Sequence, residues 1–164
     1  PRPFQRWEIR KTIETFAELA IDITSWRDHA YRHDKHTAAL LSEAGITHFS
    51  DMVELEGEVR EENGLIVVPI NTPPDHEHVY HAFRTPEFVE EDDFEGPFGE
   101  ESVEVGKWVE WVLEVISAQE GVSTVLAHPA CMWLADELDG FDNLCRSISK
   151  NHTSIPIGQH GNSR

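Results

Sequence analysis

The sequence predicts an α/β fold with largely parallel strands, a partial (β/α) barrel, and two observations carry that prediction. Helical apolar periodicities alternate with four short apolar runs, the pattern of consecutive β/α units. At 164 residues the chain is shorter than the roughly 250 that an eight-stranded barrel takes, so its strands make an incomplete one. One domain is expected over residues 1–150, followed by a disordered tail over 151–164.

Each element has a local cause. Trp7 to Ala20 reads as a helix, with Ile9, Ile13, Phe16, Ala17 and Ala20 on one face at the 3.6-residue period. Ile21 to Trp26 reads as a strand, and Arg27 to Lys35 as a polar loop. Thr37 then caps a helix whose Leu40, Leu41 and Ala44 face inward and which Gly45 stops. Ile46 to Ser50 is a second strand, Glu54 to Asn63 a Glu-rich excursion, and Leu65 to Ile70 a continuous apolar run of the kind a sheet buries on both faces. A long Pro- and Gly-bearing loop, Asn71 to Glu101, follows. Val105, Trp108, Val109, Val112, Val115 and Ile116 mark an amphipathic helix ending near Gly121. A fourth strand, Thr124 to His128, is closed by Pro129, which cannot continue a ladder. A last helix spans Leu138 to Ile148, and the polar, aperiodic residues from Asn151 read as disordered.

Composition narrows the partners. The formal charge is −18 and the pI about 4.8, yet five Trp and eight Phe argue for a folded core rather than disorder. Four lysines (Lys11, Lys35, Lys107, Lys150) stand beside nine arginines. Dense carboxylates with scarce lysine suit a surface adapted to high salt, where screening suppresses their repulsion. Such a charge repels nucleic acid and anionic membranes, and no apolar run reaches the roughly 20 residues of a membrane span. With no signal-peptide core from Pro1 to Arg10, cytoplasm is the default location. Cys131 and Cys145 have no spacing for a disulfide framework or a thiolate zinc site.

Polar groups follow three strands: Trp26–Arg27–Asp28–His29, Asn71 to His76, and His128. In a parallel sheet these ends share one rim, where a catalytic constellation is assembled from distant sequence. An imidazole there suits proton transfer, because it titrates near neutrality.

In these residues the chain resembles the carboxyl-terminal part of the polysaccharide deacetylase (NodB-homology) domain. Ser25–Trp26–Arg27, the segment from Leu40–Leu41–Ser42–Glu43–Ala44–Gly45 to Ser50–Asp51, and Val125–Leu126–Ala127–His128 are similar to the family's arginine motif, its helix–Glu-Ala-Gly–strand–Ser-Asp segment and its final Leu-x-His motif. Asp75 lies where the family places a further acidic residue. The resemblance implies a distorted (β/α) barrel and hydrolysis of N- or O-acyl groups on a carbohydrate or related small amide. It implies that His128 is the general acid that protonates the leaving amine, with Arg27 tuning the base and Asp75 completing the catalytic set. Trp26, Leu126 and Trp133 would wall the pocket. It also implies a divalent metal, zinc or similar, in the complete protein.

The family's base and metal ligands, an Asp-Asp pair after an apolar strand and a His-x-x-x-His pair, have no counterpart here; Asp92–Asp93 lies in an acidic loop. The chain is therefore expected to be a truncated, inactive portion that binds no metal alone and whose partner is the missing half-barrel. Two alternatives stay open: a non-catalytic half-barrel that joins another polypeptide, and a metal protein built on His29, His33 and His36, the first two at His-x-x-x-His spacing. The trio His76, His78 and His81 reads as a wet loop. His128→Ala is expected to lower turnover with little effect on folding.

Overall fold

The computed structural model describes residues 2–80 and 103–160. Among them stand five α-helices and one four-stranded sheet, a mixed α/β architecture as predicted. The chain divides into two compact units: residues up to Met52 with Glu58–Pro69 and the segment from Ile155, and Val53–Gly57 with Ile70–Ser154.

The sheet lies wholly in the first unit. Its strands β1 (Ser25–Trp26), β2 (His48–Phe49), β3 (Arg60–Glu62) and β4 (Leu65–Val67) run in the order β1-β2-β4-β3. The pairs β1–β2 and β2–β4 are parallel and β3–β4 is antiparallel. The expected strand from Ile21 shortens to two residues because pairing begins only where the Thr24 carbonyl accepts from Thr47 and His48; Ile21 is exposed. Strand β3 falls inside the stretch read as an excursion. Asn63 and Gly64 both have positive φ, 52° and 76°, and Glu62 pairs with Leu65, so Asn-Gly forms the two-residue hairpin turn its type favours.

Helix α1 (Arg2–Glu18) starts earlier than its periodicity predicts. Its first turns are anchored on α2 (Thr37–Glu43): Arg6 pairs with Glu43, and the Gln5 amide donates to the Thr37 hydroxyl at 3.0 Å. Helix α2 ends as expected at Gly45, with φ 91°. Ile9, Leu40, Leu41, Ile46, Phe49 and Leu65 form the core of this unit.

The segment predicted to be a disordered tail is placed as far as residue 160. A 3-10 turn, Ile157–Gln159, brings the His160 carbonyl to the Nε2–H of His48 at 2.9 Å. His48 is fully buried on β2, so its ring needs an acceptor inside the protein. Gly158 permits the approach, since a Cβ there would lie 2.5 Å from the Thr24 hydroxyl oxygen. Residues 161–164 lie outside the described set, as does the stretch 81–102 of the long loop.

The second unit is built on α3 (Val105–Ala118), α4 (Pro129–Asp136) and α5 (Asp139–Asn151). Trp108, Val109, Val112 and Ile116 on one face of α3 pack with Met132 and Leu144. The predicted strand Thr124 to His128 does not join the sheet. Side chains take the place of a ladder: the Asn71 amide accepts from Thr124 N–H and donates to the Val122 carbonyl, each at 2.8 Å, and the Thr72 hydroxyl donates to the Thr124 carbonyl at 2.9 Å. Pro129 then opens α4 rather than merely stopping a strand, because at the first helical position its missing N–H costs nothing. No described helix is long and apolar enough to cross a membrane.

Candidate functional site

Of the predicted catalytic residues, the second unit brings together Asp75 and His128. Asp75 has no exposed surface. One of its carboxylate oxygens accepts the backbone N–H of His128 at 2.7 Å and the other faces the same residue's Nδ1 at 2.8 Å. A carboxylate oxygen accepts, so Nδ1–H is the donor of the bond between them. The His128 side chain is 41% exposed. The His76 ring lies 4.6 Å from that of His128, tilted by 33°. The segment Asn71–Asp75 is thus stitched to residues 122–128 along its length, and the stitching ends in a carboxylate that fixes one histidine.

This arrangement changes one expectation. His128→Ala would leave a fully buried carboxylate with one donor fewer, and a buried charge stripped of a partner destabilises. An effect on folding is therefore built into that substitution.

Arg27 and Trp26 belong to the first unit. The Arg27 guanidinium donates to the carbonyl and the hydroxyl of Ser50, both at 2.6 Å, tying the end of β1 to the end of β2. Burial pulls its pKa down from the ordinary value, opposed by the charges of Tyr31 and Asp51; a guanidinium stays charged regardless. The Trp26 indole N–H donates to Asp28 at 2.9 Å. Of the expected pocket-wall residues in the second unit, Leu126 is buried and Trp133 is 57% exposed on α4, so Trp133 is a surface residue. The rotation of α4 sets this, turning Met132 inward and its neighbours Trp133 and Leu134 outward.

A second carboxylate–imidazole pair was not foreseen. Asp51, buried at the end of β2, accepts the Asp28 N–H at 3.0 Å, and its other oxygen lies 2.6 Å from Nδ1 of His33. The His-x-x-x-His spacing had suggested one helical face for His29 and His33. The chain instead makes a single 3-10 turn, His29–Tyr31, and Tyr31 leaves it with φ 55°, so the two rings do not share a helix. Among the described residues no three His, Cys, Asp or Glu side chains are grouped to hold a metal ion; His81 of the other histidine trio lies outside them. The Ser50–Asp51 pair in the sequence was the available signal for Asp51, but nothing local announced its partner.

His33 lines a cavity of about 360 Å³ in the first unit. Its lining combines the apolar Ala38, Phe49, Met52 and Val67 with Asp34, Lys35, Glu62 and Asn63. Asp34 is held ionised, its pKa lowered chiefly by the N–H of His36.

No family model, curated protein or solved structure matches the chain.

Proposed function

We propose that this chain carries the proton-donating part of a polysaccharide deacetylase-like hydrolase, which removes N- or O-acyl groups from a carbohydrate or a related small amide. The observation that supports this reading best is the Asp75–His128 pair, formed across 53 residues of sequence. His128 acts as general acid. As the tetrahedral intermediate collapses, the carbon–nitrogen bond breaks and the leaving nitrogen takes the proton from Nε2. Asp75 holds Nδ1–H, fixes the ring's tautomer and orientation, and stabilises the imidazolium before the transfer. On this reading the sheet is part of a distorted (β/α) barrel. The divalent ion implied by the resemblance would activate the attacking water; the described residues do not assemble a set to hold it, so its ligands and the base come from elsewhere.

The test separates chemistry from folding. His128→Asn keeps a nitrogen donor where Nδ1 stands and removes Nε2, whereas His128→Ala removes both. With the protein in the form its cell makes, assayed for acetate release from N-acetylated chito-oligosaccharides in molar KCl with added zinc, His128→Asn is expected to lower kcat by about 10²–10⁴-fold with a near-native melting temperature. Wild-type kcat in that variant would overturn the assignment.

A further inference from the structure

We propose that Asn151 is a modification site, the acceptor of an N-linked oligosaccharide. The proposal is independent of the hydrolase reading.

The chain has five asparagines, Asn63, Asn71, Asn143, Asn151 and Asn162. Asn151 alone is followed two positions on by a hydroxyl residue, Thr153, with a residue other than proline, His152, between them. That is the pattern an N-glycosylating transferase reads, and it needs a setting as well as a sequence. The asparagine must lie on the surface with its amide uncommitted, and the chain beside it must be able to leave regular structure and enter the enzyme's groove.

The fold meets each requirement. Asn151 is the last residue of α5, where the carbonyls of the final turn have no intrahelical partners and the helix end frays. His152 is already extended, with φ −135° and ψ 158°, and no regular structure follows until the 3-10 turn at Ile157. Residues 151–156 are all exposed. Among the described residues, neither the Asn151 amide nor the Thr153 hydroxyl has a hydrogen-bond partner. Past the helix's own ladder, the backbone bond from His152 N–H to the Ile148 carbonyl, at 2.9 Å, fastens the motif. Drawing residues 151–153 away therefore breaks terminal backbone bonds and uncovers no core.

The co-reactant is an oligosaccharide carried on a polyisoprenyl phosphate or pyrophosphate. The Asn151 amide nitrogen attacks the anomeric carbon of its first sugar. A carbon–nitrogen bond forms as the bond from that carbon to the phosphate oxygen breaks, the amide proton passes to a base of the transferase, and the lipid phosphate leaves. This transfer takes place outside the cytoplasm, so the proposal also replaces cytoplasm as the location.

The test is mass spectrometry of the protein purified from its own cells, intact and after proteolysis. The peptide that contains Asn151 is expected to carry a mass increment made up of whole sugar residues. Asn151→Gln and Thr153→Val are expected to lose the increment completely, and Thr153→Ser, which keeps the hydroxyl, to retain it. Melting temperatures of the three unglycosylated proteins, made in a host without the transferase, are expected to match wild type made the same way, because residues 151–153 are exposed. An unmodified Asn151 peptide in the wild-type protein would overturn the proposal. An increment that survives Asn151→Gln or Thr153→Val would do so too, since the sugar would then sit elsewhere or be attached by another chemistry.

Discussion

One oxygen of the Asp28 carboxylate accepts the Trp26 indole N–H, and the other is buried with no hydrogen-bond partner. Burial raises the pKa of Asp28 above the ordinary 3.8, the indole bond lowers it, and the neighbouring charge of Asp51 raises it again. The sign of the consequence follows: the folded state holds this proton more tightly than the unfolded chain does. The ionised carboxylate therefore burdens the fold above the raised pKa, and the burden vanishes as the pH falls below 3.8. Asp28→Asn keeps an acceptor for Trp26 and is expected to melt at a higher temperature than wild type at neutral pH, with the two converging in acid. Thermal melts across pH check this, and a gap that widens toward acid would contradict it. At the same scale the sequence singled out Asp75 and His128 as separate candidates without pairing them, and it gave no sign of the pair between Asp51 and His33. His128 was legible because it closes an apolar run, and Asp75 because it follows Leu65–Ile70 by a short polar segment and matches the acidic residue of the resemblance. His33 was not, because its partner depends on a turn that Tyr31 breaks with a left-handed backbone, a conformation its residue type gives no reason to expect.

Among the elements, the close approach of α5 to α3 rests on Gly140. A Cβ there would fall 2.3 Å from a methyl carbon of Val105 and 2.8 Å from a carboxylate oxygen of Asp136, which also accepts the Gly140 N–H. Overpacking costs about 1–3 kcal/mol, more than alanine's advantage of about 1 kcal/mol in a helix interior. Gly140→Ala is thus expected to lower unfolding stability in a denaturant titration. The long helices were readable from sequence because α3 presents an uninterrupted apolar face to its core. The short elements were harder for different reasons. Residues 122–128 look like a strand but find side-chain partners in Asn71 and Thr72 instead of another strand. The β3–β4 hairpin was signalled by Asn63–Gly64, yet the acidic residues around it masked the strand pattern. Pro129 was read as a stop, while its equal fitness to start a helix decided the outcome.

For the whole molecule, the excess of carboxylates governs the response to salt. The screening length falls from about 10 Å at 0.1 M to about 3 Å at 1 M, so repulsion between separated surface carboxylates is largely removed over that interval. The melting temperature is expected to rise as KCl is increased from 0.1 to 1 M, and scanning calorimetry measures it; a flat or falling curve would remove the argument for salt adaptation.

The first unit is assembled from three stretches of chain, and its fully buried His48 bonds to the carbonyl of His160. On the ribosome, that acceptor is made only after the whole of the second unit's sequence has been translated. The bond from the His48 ring must wait for it, whereas the segments of the second unit are all made before it. Although the first unit contains the amino-terminal helix, its hydrogen bonding is complete only once the chain beyond the second unit's segments has been made.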